Sequence, residues 1–417
     1  MEDGLCPTSH LQSAITWGKG QALILFGHPT GNPNSHQAAL AHWEGGKLEA
    51  FCVPWFPEKW ELSLLRAVPG LGGEVNRLAR RRFEPLAAAP KVQGRLGEWG
   101  RLIRRKMGGG EELSYEANGW LMKTIARECG RKSVTTVHSY EDCSLWQFET
   151  AKKAGKACIY DMPIGYYGWW QKKEAELAKK YRDWLPPEGI SSTRWVRPEQ
   201  KRKEMELADM VITACSFARN TIREFFDKDV KLAPYGVDLP QRVDRKPRQD
   251  GVFRVVYAGT ASVRKGTPLL LETWRKLGWK DAELVLAGSW QLARPMEKHL
   301  PTGVRHVGQL AHARLMDLFR GSDWLILPSN FEGYGLVILE ALAQGLPILA
   351  STATGAADLP NSEAVRLFEP ENSEQLAEAL IQAKAHRDKD LGREARRIAE
   401  GCSWEKYREK VKEAARR

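Results

Sequence analysis

One stretch constrains this chain more than any other: residues 323–358, DWLILPSNFEGYGLVILEALAQGLPILASTATGAAD. Trp324 to Leu327 is an apolar run of buried-strand length, and Pro328 and Ser329 stop it. Asn330 to Gly335 holds two glycines, so backbone N–H groups in this turn can approach a ligand closely. A helix is predicted from Leu336 to about Gln344, closed by Gly345 with Pro347 just beyond, and Ile348 opens another strand. Glu332 falls in the turn and Glu340 in the helix, eight residues on. Leu336, Leu339 and Leu342 make that helix largely packed, and a carboxylate in a packed helix needs a partner. A helix N-terminus favours phosphate, and flanking carboxylates accept hydrogen bonds from sugar hydroxyls. The segment therefore suits a nucleotide sugar. The plainer alternative is a glycine-containing strand, turn and helix with two incidental glutamates.

The same rhythm runs through the rest of the chain. Residues 1–20 read as a loose lead-in, and Gln21–Phe26 as a first buried strand. A Gly/Pro/Asn loop follows, with a helix expected from about Ser35. Strand, glycine loop and helix make the opening of a doubly wound α/β domain, which places Gly27, Gly31 and Asn32 beside a cleft. Further strands are expected at 47–53, 134–138, 156–160 and 210–214, with helices at 145–155 and after Ser216 as a cap. IGYYGWW, at 164–170, offers rings that either stack on sugars or simply pack. The polar, Pro-containing residues 240–251 read as a domain linker. Beyond them, strands at 253–258, 283–287 and 304–307 alternate with helices, and a last amphipathic helix starts at Ser403. The expectation is two parallel-sheet domains face to face: 1–239, then 240–401, with 402–417 returning to the first.

Composition narrows the class. A length of 417 residues exceeds a single core, so two domains are the default. Seven cysteines, an odd number with no C-x-x-C pair, speak against a disulfide framework or a zinc site and for a reducing, cytoplasmic setting. No signal-peptide core is recognised near the start, where 22–26 is too short for one. The net charge of +11 favours an anionic partner. Much of it lies in 77–106, where basic residues alternate with Leu, Phe and Trp. Such a segment is either a solvated helix face or a peripheral contact with an anionic membrane at its inner face.

Several segments in order resemble the GT-B glycosyltransferases, specifically the retaining glycosyltransferase family 4 type, the glycosyl transferases group 1. They are YAGTASVRKG at 257–266, LVLAGS at 284–289, HVGQLAHARLMDLFRGSDWLILPS at 306–329 and the Glu-x7-Glu segment NFEGYGLVILEALAQGLPILAS. ELADMVITACSFARN, APYGVD and SWEKY are weaker matches. The resemblance implies two Rossmann-like doubly wound domains around a central cleft. It also implies metal-independent transfer, with retention, of a sugar from a UDP- or GDP-linked donor to a hydroxyl of a saccharide, lipid or small molecule. No cofactor is implied beyond the nucleotide diphosphate sugar as co-substrate, and no nucleic acid.

By that resemblance Arg264 and Lys265 neutralise the donor diphosphate. Glu332 holds sugar hydroxyls and Glu340 the ribose diol. Backbone amides at Gly333, Tyr334, Gly335 and Leu336 add donors, and Gly259 admits the nucleotide. Residues 306–309, including Val307 and Gln309, border the base, and Gly31 and Asn32 lie across the cleft, near the phosphate or the acceptor. Many relatives carry a histidine after the strand that here reads ACIYDMP; this chain has Asp161, which either assists in catalysis or caps the turn before Pro163. His138, at the end of the preceding strand, is a further cleft candidate. The readings left open are a GT-B epimerase or phosphorylase, though no pyridoxal-phosphate lysine is identified, and a non-catalytic basic protein binding an anionic membrane or nucleic acid.

Overall fold

The computed structural model describes residues 23–29, 31–68, 72–108, 112–187, 189–190, 197–241, 250–386 and 391–416. The expected lead-in, most of the expected linker and part of the Gly108–Gly110 break lie outside the described residues.

The strands are β1 Leu23–Gly27, β2 Leu48–Val53, β3 Lys91–Gln93, β4 Val134–Tyr140, β5 Ala157–Met162, β6 Met210–Thr213, β7 Asp229–Leu232, β8 Phe253–Ala258, β9 Ala282–Ala287, β10 Val304–Gly308, β11 Trp324–Leu327, β12 Ile348–Ser351 and β13 Val365–Phe368. The helices in the first half are α1 Pro33–Glu44, α2 Lys59–Arg66, α3 Gly72–Ala79, α4 Arg95–Lys106, α5 Glu112–Glu128, α6 Leu145–Lys153, α7 Tyr167–Lys180, α8 Pro198–Leu207 and α9 Ser216–Arg223. Those in the second half are α10 Thr267–Leu277, α11 Arg294–Lys298, α12 His312–Arg320, α13 Leu336–Ala343, α14 Ser373–Ala385, α15 Gly392–Glu400 and α16 Trp404–Ala414.

Two wholly parallel sheets result. The first runs β3-β2-β1-β4-β5-β6-β7 and the second β10-β9-β8-β11-β12-β13. Parallel strands need crossovers, and helices cover both faces, so the central strands are continuous apolar runs: every residue of β11 and β12 is buried. In each sheet the chain starts in the middle, builds outward one way, then crosses back to build the other way. The reversals fall between β1 and β4 and between β8 and β11.

Local chemistry corrects three expected details. The first helix begins at Pro33, not Ser35, because Asn32 caps it: Ser35 N donates to Asn32 Oδ1 at 2.8 Å. The helix after β6 is capped by Cys215, whose Sγ accepts from Ala218 N, so Ser216 is the first helical residue. Within the basic segment lies β3, which sequence reading missed because three residues are too few to show a period.

The carboxyl ends of the two sheets meet. A Cβ added at Gly333 would lie 1.8 Å from the Pro163 carbonyl oxygen, so only glycine allows this approach. Cys215 Sγ donates to Gly333 O at 2.6 Å beside it. Phe331 stacks against Trp169 and Trp170, at centroid distances of 5.9 and 5.3 Å. Trp169 and Trp170 are thus packing between the sheets, engaged by Phe331 rather than offered to a sugar, while Tyr166 packs on Phe225 and Phe226 in the first domain. The last helix, α16, lies on α1: Arg408 Nε pairs with Glu44 at 3.0 Å and its Nη1 donates to Gln37 Oε1 at 2.7 Å.

Candidate active site

In an open parallel sheet, ligands gather beyond the carboxyl ends of the strands where the winding reverses. In the second sheet that point lies between β8 and β11, so the loops 259–266 and 328–335 form the site. They are stitched together. Asn330 N donates to Arg264 O at 2.8 Å, and Asn330 Nδ2 to Val263 O at 3.0 Å. Arg264 Nη1 donates to Phe331 O at 2.8 Å. The guanidinium is therefore held by the opposite loop through a carbonyl, and burial lowers its pKa from the ordinary arginine value. Lys265 Nζ forms an ion pair with Glu332 Oε2. Burial, and then the adjacent Arg264, press the lysine below its usual range; the carboxylate in contact with it opposes that. Two cations and one carboxylate thus share a desolvated corner with a net positive charge.

The same corner contains the start of α13. Gly335 precedes it with φ 80°, a left-handed conformation, and a Cβ there would come within 2.9 Å of Leu327 Cδ2. No side chain caps this helix. Ile338 N donates to Gly335 O at 2.8 Å, which leaves the amides of Leu336 and Val337 at the helix start, where backbone donors favour an anion. Glu340, one turn further along, faces His312 Nε2 at 3.4 Å. It lines a cavity of about 510 Å³ with His312, Leu336, Val237, Pro33 and Trp404. That size lies within the ~300–1,000 Å³ of small-molecule pockets.

The first sheet supplies the facing wall. Gly31 has φ 72° and donates its N–H to His28 Nδ1 at 2.9 Å, while Asn32 serves as the cap of α1. Burial pushes the His28 pKa down to about 3, helped by His36 and Arg81, and the His36 pKa down to about 4. His138, expected at the cleft, is fully buried: its Nδ1 meets His42 Nε2 at 2.8 Å. Its Nε2 stands 3.6 Å from Asp161 Oδ2. Asp161 is also buried, and lies within β5 rather than capping the turn before Pro163. Tyr235 and Tyr407 close this polar nest, and the Asp161 charge adds to the burial that raises their phenol pKa values.

Arg264, Lys265, Glu332, Gly333, Gly335 and Leu336 thus come together as one locus, with Glu340 beside it on the cavity. Gly259 directly follows β8, with φ 152°. Val307 is half-buried in β10 and Gln309, just beyond it, is exposed; neither lines the cavity of Glu340. The Tyr334 ring turns inward against Tyr235, at 5.8 Å, so only its backbone is available to a ligand. Sequence reading missed Asn330, His312 and His42. Asn330 stood in the motif, but nothing in its spacing announced that its amide ties two loops together. His42 lies ninety-six residues from its partner and carried no signal.

Two facing, doubly wound parallel-sheet domains with a basic loop and a glycine turn at their junction define the class: this is the GT-B fold. Residues 252–386 match the family model of the glycosyl transferases group 1. The chain is 36% identical over 246 residues to a D-inositol 3-phosphate glycosyltransferase of Rhodococcus jostii, covering 50% of this chain and 54% of that protein. It is 29% identical over 136 residues to an uncharacterized glycosyltransferase of Methanocaldococcus jannaschii, covering 31% and 35%. These matches span about a third to a half of the curated relatives' length. The crystal structure of Anabaena HepE in complex with UDP and glucose superposes with a TM-score of 0.56 at 16% identity, over 94% of this chain and 99% of that one.

Proposed function

We propose that the protein transfers a sugar from a nucleoside diphosphate sugar to a hydroxyl acceptor, with retention and without a metal. The observation that carries this reading is the pairing of the Arg264–Lys265 loop with the Glu332 turn at the winding reversal, directly before an uncapped helix. A diphosphate placed there meets two cations and the first amides of the helix. A ligand anion replaces the Glu332 carboxylate as the partner of Lys265. Glu332 is then released to accept from sugar hydroxyls, and Glu340 accepts from the ribose. As the donor bond breaks, charge accumulates on the leaving diphosphate, and Arg264 and Lys265 stabilise it where water is excluded. Asp161, two residues before the Pro163 contact with Gly333, is the carboxylate we assign to the sugar or the acceptor hydroxyl. A uridine diphosphate donor is favoured by the complex of the similarly folded Anabaena protein with UDP and glucose.

The acceptor is bound by the first domain. We also assign that domain a peripheral contact with an anionic membrane through 77–106. Among the described residues, no helix is long and apolar enough to cross a membrane.

The test is thermal stability against nucleoside diphosphates and their sugars. A ligand at about 100 times its dissociation constant adds roughly 2.7 kcal/mol to a native state it alone binds. The expected outcome is stabilisation by uridine compounds, lost in Arg264→Ala/Lys265→Ala. A folded protein that no nucleotide stabilises would overturn the donor site.

A further inference from the structure

The segment 59–107 concentrates two properties that rarely coincide on a solvent face. It holds twelve Lys and Arg against four Glu, eight of the chain's net eleven positive charges. It also holds Trp60, Leu64, Val68, Leu96, Ile103 and Met107, half of the large apolar side chains exposed among the described residues. Scattered exposed apolar residues need no explanation, but six within one segment of this charge do.

The structure shows what they surround. α2, α3 and α4 enclose a small core of Trp55, Leu62, Val75 and Leu78, separate from the main cores of both domains. This core is incompletely filled. A cavity of about 450 Å³ runs into it, lined by Trp55, Leu65, Val75, Leu78, Trp99 and Leu102, with Glu74, paired to Arg77, as its one charged lining residue. Ile103 and Met107 form its rim, 55% and 80% exposed, so the mouth is apolar too. Most carboxylates of the region are already consumed. Glu98 takes Arg81 at 2.6 Å and also Arg101, Glu58 takes Arg82 at 2.8 Å, and Glu116 takes Arg104 at 2.9 Å. Arg66 and Arg80 stay exposed on the flanks.

We propose that this cavity receives one hydrocarbon chain of an anionic membrane lipid when α2 and α4 rest on the bilayer surface, their exposed apolar side chains inserted and the arginines at headgroup level. The proposal rests on the membrane contact assigned above. A second copy of the chain is disfavoured as occupant by like charge. Nucleic acid has no use for a largely apolar cavity behind an Ile/Met rim. The segment also reaches the cleft. Phe83, just past α3, stacks on His36 at 5.3 Å and 3°, next to the Gly31 loop. Docking here therefore brings the first domain's side of the cleft close to the lipid surface.

The experiment uses the whole chain, vesicles of phosphatidylcholine with and without phosphatidylglycerol, and monomeric lysophosphatidylglycerol. The variants are Leu64→Glu and Ile103→Trp, both at exposed positions that the fold tolerates. Wild type is expected to sediment with the anionic vesicles only, and Leu64→Glu to bind them at least tenfold more weakly. Lysophosphatidylglycerol is expected to raise the melting temperature of wild type but not of Ile103→Trp, whose indole fills the mouth. Equal vesicle binding by wild type and Leu64→Glu would mean charge alone holds the protein and overturns the proposal. So does absence of binding at low salt, a lysolipid shift unchanged in Ile103→Trp, or a wild-type dimer that Leu64→Glu dissolves. Nucleotide stabilisation measured on the same samples reads the donor site independently, so failure of either reading is recognised by itself.

Discussion

At the scale of single residues, burial decides the chemistry of the first domain's wall. His28 and His36 are held neutral, with pKa values pushed to about 3 and about 4 against an ordinary 6.5. A histidine whose folded pKa is depressed binds its proton more readily in the unfolded chain, so stability is fully present above about pH 6.5 and is lost as pH falls toward the folded value. Between pH 7 and pH 5 each of the two is expected to cost on the order of 1–2 kcal/mol. The check is the urea midpoint at the two pH values, in wild type and in His36→Gln; a midpoint drop of equal size in both would contradict it. The donor corner shows the complementary case. Arg264 and Lys265 were legible in the sequence as a basic pair before a glycine, but not the engagement of Lys265 with Glu332. That pair is sixty-seven residues apart, and only the winding of the sheet makes them neighbours.

At the scale of elements, most of the fold could be read from periodicity and caps. The apolar runs of β8, β9, β11 and β12 and the Gly-Leu-Pro stop after α13 stand plainly in the sequence. α16 was equally legible from its Ser403 cap. Its hydroxyl accepts from Lys406 N at 3.2 Å and the helix buries Trp404, Tyr407 and Val411. Ser403→Ala should cost about 1 kcal/mol, read as a lower urea midpoint with an unchanged denaturant slope. A changed slope would mean that α16 detaches before the rest unfolds. What failed was local: β3 is too short for a period, and the cap of α9 is a thiol, which the usual preferences do not suggest.

At the scale of the whole molecule, Glu371 binds the parts together. It is one of two non-glycine residues described with positive φ, 61°, so its backbone occupies a conformation a glutamate seldom adopts. Its carboxylate accepts from Lys180 Nζ, Tyr181 OH and Asn330 Nδ2, each at 2.7 Å. One side chain thereby joins the end of α7 to the loop that carries the donor corner. Glu371→Ala leaves those donors without their acceptor and should cost on the order of 2 kcal/mol. It should also enlarge the radius of gyration in solution scattering and weaken nucleotide binding together. A variant that loses stability but keeps both compactness and nucleotide affinity would show that the contact is only structural. The sequence by itself determined the class of fold, the second domain's site motif and the basic, apolar-studded segment, because each depends on residues close together along the chain. The tertiary structure alone decided that Lys265 holds Glu332, that Gly333 touches Pro163, that His138 and Asp161 are buried together and that a cavity opens behind Ile103. Those pairings are fixed by how parallel strands return through crossovers, and chain spacing carries no record of that.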